Sequence, residues 1–112
     1  MASIRQNKVA RLIQKELGFI FQKEAGMLFH GAMVTVTVVR VSPDLAVAKV
    51  YLSLFPSSKA KETFETICNH NKHWRYELGQ KVKNQMRIVP ELAFFIDDSL
   101  DYIENIEKLM KS

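Results

Sequence analysis

The sequence has few of the residues that mark several classes of protein. One cysteine in 112 residues excludes an internal disulfide, and we expect a reducing, cytoplasmic setting. Only four glycines and three prolines are present, and no low-complexity tract or long linker divides the chain. We therefore expect a single domain over residues 1–112.

Long apolar runs are also missing. None approaches the ~20 residues of a membrane helix, and the first residues, MASIRQNKVAR, place charges where a signal peptide needs an apolar run. We therefore expect no membrane partner. Sixteen Lys and Arg against 12 Asp and Glu give a net charge of +4, a mild excess that favours a polyanionic partner.

Apolar periodicity predicts the element order α-β-β-α-α-β-α. The predicted helices cover 4–25, 57–68, 72–86 and a segment from 100 onward, and the predicted strands cover 33–41, 46–54 and 92–96. Ser42-Pro43-Asp44-Leu45 predicts the turn of a hairpin between the first two strands, and Ser57 or Ser58 is predicted to cap the second helix. Three strands need helices over at least one face, which predicts an α+β domain in two layers. In the first strand, Val39 and Val41 share the face of Ala48, while Val34, Val36 and Val38 fall on the other. A β-bulge or a partly covered second face is therefore predicted.

The stretch CNHNKHWR, residues 68–75, gathers the only cysteine and the only tryptophan with two of the three histidines. Cys68, His70 and His73 fit a loose C-x-H-x-x-H string that lacks a fourth zinc ligand. Cys68 with either histidine lacks the glycines and orienting group of a nucleophile site. Asp97 and Asp98 are more simply a helix cap than an acid–base pair. We expect no catalytic residues, metal, cofactor or small-molecule substrate, and an enzyme is the third hypothesis.

The same stretch is better interpreted as a joint between two helices. Cys68 is predicted to extend a buried apolar stripe, as a free cysteine commonly does. Trp74 is predicted to fill the core beside Leu78 rather than to stack on bases. Asn69 and Asn71 tolerate the left-handed conformation, so a positive φ is predicted at one of them.

Two groups of cations are predicted to bind phosphates of a polyanionic partner. They are Arg5, Lys8, Arg11 and Lys15 on one stripe of the first helix, and Lys72, His73, Arg75, Lys81, Lys83 and Arg87 on the later helix and its exit. Acids are instead densest after residue 96. Phosphate contacts supply affinity and position without reading sequence. Either group alone is equally consistent with a solvated helix face.

Two longer segments make the interpretation specific. VTVTVVRVSPDLAVAKVYLSLF and MRIVPELAFFIDDSL closely resemble the hairpin and third-strand signatures of the ribosome-binding factor A family, and RQNKVARLIQKEL adds the basic pair Arg5 and Lys8. The resemblance implies a type-II KH-like fold: α-β-β-α-α-β plus a C-terminal helix, with helices packed on one face of a three-stranded sheet. It also implies a non-enzymatic cytoplasmic factor that binds the small ribosomal subunit and its rRNA and supports late maturation, including rRNA 5′-end processing, especially in the cold.

The family carries an Ala-x-Gly kink between its second and third helices. His70, Asn71 and Lys72 occupy that place here, and we expect them to form the helix kink of a monomeric protein. The competing hypothesis is a protein-interaction module without RNA contact, which docks through the C-terminal helix or the second face of the hairpin.

Overall fold

The computed structural model describes residues 4–24, 26–86 and 88–97. Its elements are α1 (Ile4–Glu24), β1 (Met33–Val41), β2 (Val47–Phe55), a 3₁₀ turn (Ser57–Lys59), α2 (Ala60–Asn69), α3 (Asn71–Val82) and β3 (Glu91–Ile96). The predicted order α-β-β-α-α-β is confirmed, and the predicted C-terminal helix lies outside the described residues. No helix within those ranges is long and apolar enough to cross a membrane.

The three strands form one sheet in the order β1-β2-β3. β2 is central, because β1 pairs with it antiparallel and β3 pairs with it parallel. Ala48, Val50 and Leu52 alternate along β2 and are fully buried beneath the helices. The helices cover one face of the sheet, which confirms the predicted two-layer α+β arrangement with type-II KH order.

Trp74 lies at the centre of the core. Its indole is completely buried and meets the rings of Phe21 and Phe29 at centroid distances of 5.0 and 6.0 Å. The buried stripes of α1 and α3 converge on it; they are Ile13, Leu17, Ile20 and Phe21, and Trp74, Leu78 and Val82. Burial of each large apolar side chain contributes about 1.5–3 kcal/mol, so these two stripes fix the helical layer on the sheet.

A β-bulge at Thr37 explains the unusual pattern of β1. Val36 lies opposite Leu52 whereas Val38 lies opposite Tyr51, so Thr37 is the additional residue on β1. The extra residue shifts the side-chain alternation by one position. The predicted bulge is therefore present, and Val38 lies on the second face as predicted, but the predicted placement of Val34 and Val36 on that face was wrong. Val36 is buried in the core.

The predicted hairpin turn is present, whereas the predicted serine cap of α2 is not. In the hairpin turn, Asp44 Oδ1 accepts hydrogen bonds from Ser42 Oγ (2.6 Å) and from the Ala46 backbone N–H (3.1 Å). The hydrogen bond from Ser42 lowers the pKa of the Asp44 carboxyl most, and that from the Ala46 backbone lowers it further. The predicted serine cap of α2 was wrong, because Ser57 instead opens the 3₁₀ turn and the residue before α2 is Lys59, which makes no side-chain cap.

Candidate nucleic-acid interface

The cations predicted on the first helix form an exposed surface. Arg5, Lys8, Arg11 and Lys15 are all exposed on α1. Lys8, Arg11 and Lys15 follow one another at steps of three and four, opposite the buried stripe. Across the described ranges, none of the four makes an ion pair. Their charges are therefore available to an external anion.

Two glutamines fix the orientation of this surface relative to the sheet. Gln6 Nε2 donates a hydrogen bond of 2.8 Å to the Val41 carbonyl. Gln14 Nε2 contacts the carbonyls of Val36 (3.3 Å) and Thr37 (3.1 Å) at the bulge. These three contacts join α1 to the free edge of β1 and so resist rotation of the helix. Sequence reasoning missed them, although glutamines at the margin of an apolar stripe were a usable signal.

The joint between α2 and α3 consists of one residue. His70 has φ −105° and ψ 24°, and its backbone N–H approaches the carbonyls of Thr66 and Ile67, both at 3.2 Å. Neither Asn69 nor Asn71 has a positive φ, so that prediction was wrong. The helix bends within the sterically allowed bridge region, and no left-handed residue is needed.

Side chains from both sides hold this joint in place. Trp74 Nε1 donates a buried hydrogen bond of 2.8 Å to the Ile67 carbonyl in the last turn of α2. Asn71 Nδ2 donates one of 2.8 Å to the Leu92 carbonyl in β3. The predicted core role of Trp74 is thus confirmed, and its indole cannot stack on a base. Tyr76, by contrast, is 64% exposed.

Cys68 differs from its predicted role, because it is exposed. The inward positions of α2 are Thr63 and Ile67, four residues apart, and Cys68 lies about 100° further round the helix. Partial desolvation raises the pKa of its thiol, which disfavours the thiolate that a nucleophile needs. Among the residues that the structure describes, no three His, Cys, Asp or Glu are grouped to hold a metal ion.

The second predicted group of cations is only partly free. Lys72, Lys81 and Lys83 are exposed and unpaired within the described part of the chain. His73 instead places Nε2 3.9 Å from Glu24 Oε1.

The remaining two members of that group differ from the lysines. Arg75 is exposed, and its Nη2 donates a hydrogen bond of 2.9 Å to the Val89 carbonyl. Arg87 lies outside the described residues.

The two helices that carry the cations run antiparallel. At one end His73 lies beside Glu24, and at the other Arg5 shares a groove with Gln85 and Met86, just beyond α3. The end of α3 that carries Lys81 and Lys83 therefore lies near the start of α1, while Lys72, His73 and Arg75 lie near its end. The predicted cations therefore lie on two adjacent helices over a length of about 30 Å, because α1 has 21 residues.

A further group of polar and aromatic side chains lies on the opposite face of the sheet. Arg40 and Lys49 are paired across β1 and β2, and the rings of Tyr51 and Phe95 stack with centroids 5.4 Å apart. Arg40, Lys49 and Tyr51 line a groove of about 730 Å³, which Asp97 also lines. Strand alternation marked this face as the second face of the hairpin, but its cations were not among the predicted site residues.

Comparison with known proteins decides the family. The family described as Ribosome-binding factor A matches residues 5–110. The chain belongs to the ribosome-binding factor A family. Its relatives include the ribosome-binding factor A of Cytophaga hutchinsonii, 44% identical over 110 residues, which span 98% of this chain and 83% of the relative. That of Flavobacterium johnsoniae is 46% identical over 111 residues, 98% of this chain and 85% of the relative.

Solved structures of ribosome-binding factor A share the fold. The crystal structure of the Thermus thermophilus protein superposes with a TM-score of 0.67 at 24% identity, covering 81% of this chain and 94% of that one. A homology model of the Thermus thermophilus ribosome-binding factor A, fitted into a cryo-EM map of its complex with the 30S subunit, gives a TM-score of 0.59 at 24% identity. It covers 88% of this chain and 97% of that one. The resemblance seen in the hairpin and third-strand segments is confirmed.

Proposed function

We propose that this chain is a non-catalytic assembly factor that binds the small ribosomal subunit and its rRNA in the cytoplasm. Family membership supports this function, as does the 30S complex named for the Thermus thermophilus protein. The chain acts as a monomer, without a cofactor or small-molecule substrate. It supports late maturation of the subunit, including processing of the rRNA 5′ end.

The observation that carries the RNA part of the proposal is the set of unpaired cations on α1. Lys8, Arg11 and Lys15 face solvent from a helix whose other side is buried and braced by Gln14. Because they have no ion-pair partner in the described structure, a phosphate would not have to displace an internal carboxylate. Such contacts give affinity and position rather than base selection.

The joint adds a place where an unpaired base can be held. Lys72 and Tyr76 lie four residues apart on α3 and are therefore neighbours on its surface. Both are exposed, so the ring can stack on a splayed base while the ammonium contacts an adjacent phosphate. Asn71 fixes the start of α3 to β3, which keeps this pair in a constant position.

Cosedimentation tests the proposal. Wild-type protein and the double variant K8E/R11E are centrifuged with immature small subunits, mature small subunits and intact ribosomes. The matched control is R40E/K49E, which makes the same change in net charge on the far face of the sheet. We expect binding to immature subunits for wild type and control, and its loss for K8E/R11E. Equal binding by all three proteins would contradict the assignment of the α1 surface.

The same set of variants tests the competing function. A protein-interaction module docking through Arg40, Lys49, Tyr51 and Phe95 predicts the reverse pattern, with loss of binding only in R40E/K49E. The maturation step has a separate readout. Cells that depend on K8E/R11E should accumulate rRNA with an unprocessed 5′ end, most strongly at low temperature, whereas cells with the control variant should not.

A further inference from the structure

The N-terminal half of β1 has main-chain groups that point away from the sheet. The Leu52 carbonyl accepts a hydrogen bond from the Asp97 backbone N–H on the β3 side, so Leu52 does not hydrogen bond to its β1 partner Val36. In an antiparallel ladder such a non-hydrogen-bonded residue directs its own N–H and C=O outward, as does the residue two positions away. Val36 and Val34 therefore present their backbone groups at the free edge.

Only part of this edge is covered within the chain. Gln14 reaches the outward carbonyls of Val36 and Thr37 at the bulge. Among the described residues, nothing hydrogen bonds to the outward Val34 N–H, the Val34 C=O or the Val36 N–H. An edge strand with unpaired groups is a template for another strand. The bulge and Gln14 limit that template to a few residues.

A groove with apolar walls runs beside these free groups. It has a volume of about 640 Å³ and lies between α1 and the start of β1. Phe19 on one side is 56% exposed and Met33 on the other is 63% exposed. Gly18 leaves the groove open, since a Cβ built there meets nothing within 4 Å, and Lys15 provides a positive charge along the wall.

We propose that this groove binds a short extended peptide segment of a partner protein, which adds a fourth strand beside β1. Pairing in either direction would satisfy both groups of Val34 and the Val36 N–H, three hydrogen bonds in all. One apolar side chain of the peptide packs against Phe19, and an acidic side chain faces Lys15. The groove shares Lys15 with the α1 surface but is separate from the proposed RNA contacts of α3, because β1 and β3 are opposite edges of the sheet.

The chemistry of the groove favours an extended peptide over other kinds of ligand. Alternating main-chain donors and acceptors next to exposed apolar rings match a β-strand in the mode of strand addition. Charge disfavours a second copy of this chain as the occupant. Symmetric pairing of two β1 strands would bring the Lys15 and Arg11 side chains of both copies close together, and these like charges would repel. An acidic segment has no such repulsion.

The probe for the experiment is the synthetic peptide acetyl-Asp-Val-Thr-Phe-Thr-Val-Asp-amide, added to the full ¹⁵N-labelled chain. We expect saturable shifts of the Val34 and Val36 amide resonances and at least tenfold slower hydrogen exchange of both amides. A matched peptide with N-methyl groups on alternate residues keeps the side chains but lacks the strand donors and should not bind. Equal binding of the two peptides, or no binding of the first at millimolar concentration, would overturn the proposal.

Two variants locate the site. Gly18→Glu fills the groove with a like-charged side chain at a position where added atoms have room, and its control is Gln80→Glu on exposed α3. Val34→Pro removes the outward N–H while leaving the β1–β2 ladder bonds intact. With melting temperatures near that of wild type, we expect at least a tenfold loss of peptide affinity in the Gly18 and Val34 variants only.

Two results would contradict the proposed peptide site. Unchanged affinity in both folded variants would place the peptide elsewhere and overturn the proposal. Sedimentation of the free chain as a dimer that Val34→Pro dissociates would also overturn it, in favour of self-pairing. Val34→Pro leaves every predicted RNA-binding residue in place, so ribosome binding by this variant should persist, which separates this result from failure of the proposed function.

Discussion

Neutralising two cations of the α1 surface should change how RNA binding depends on salt. The surface offers Lys8, Arg11 and Lys15, and the nearby end of α3 adds Lys81 and Lys83, so about five phosphates can be neutralised. For single-stranded RNA, log K then falls with log[salt] at a slope of about −3.5. The variant K8Q/R11Q leaves about three contacts and a slope of about −2.1.

These slopes predict a difference that is easy to measure. Between 50 and 200 mM salt, wild-type affinity should fall about 130-fold, whereas that of K8Q/R11Q should fall about 20-fold. Fluorescence anisotropy with a labelled single-stranded RNA of about 20 nucleotides gives both values. The control R40Q/K49Q removes the same charge from the far face of the sheet and should keep the wild-type slope.

Two results would refute this reasoning. A flat salt response in wild type would show that counterion release does not contribute to binding. An equal reduction of slope in K8Q/R11Q and R40Q/K49Q would show that binding depends on net charge rather than on the α1 surface. Circular dichroism of each variant verifies that the helices are retained, so that a lost slope is not a lost fold.

Two predictions concern the stability of the fold itself. Replacing Trp74 by Phe removes the buried indole hydrogen bond to the Ile67 carbonyl and also removes packing volume, so the free energy of unfolding in urea should fall by about 2–3 kcal/mol. Replacing the exposed Tyr76 by Phe should change it by less than about 0.5 kcal/mol, and equal losses would contradict the structural role of the indole. The second concerns pH. Because hydrogen bonds from Ser42 and the turn hold the pKa of Asp44 below its ordinary value of 3.8, the carboxylate stabilises the folded state above that value, and this contribution is lost as pH falls through the lowered pKa. The variant D44N should show a shallower loss of melting temperature between pH 5 and pH 2, and an unchanged profile would contradict this assignment.

Local patterns sufficed for most of the fold. The buried stripe of α1 and the strand alternation of β2 are periodic over many residues, so one face of each had to be apolar. The bulge was detectable because the valines of β1 could not all face the core with a period of two. Its position could not be found from sequence, since Thr37 is identified only by pairing with β2 and by its contact with Gln14.

The candidate site was less predictable, because it depends on tertiary placement. Spacing along α1 was enough to group Lys8, Arg11 and Lys15. It could not show that Glu24 lies beside His73, or that Arg75 reaches the Val89 carbonyl. Both partners are distant in sequence, so the contacts that engage His73 and Arg75 could not be found from the sequence.

The joint at His70 has a consequence for which substitutions the protein can accept. The bend is held from beneath by the Trp74 indole and laterally by Asn71, while His70 itself has an ordinary negative φ. A small or flexible residue is therefore not required at the bend, which accounts for a chain that keeps the family fold without the family's glycine. The bend depends instead on positions 67 and 74, where a change in side-chain size would alter the angle between α2 and α3 and so the direction in which α3 presents its proposed RNA contacts.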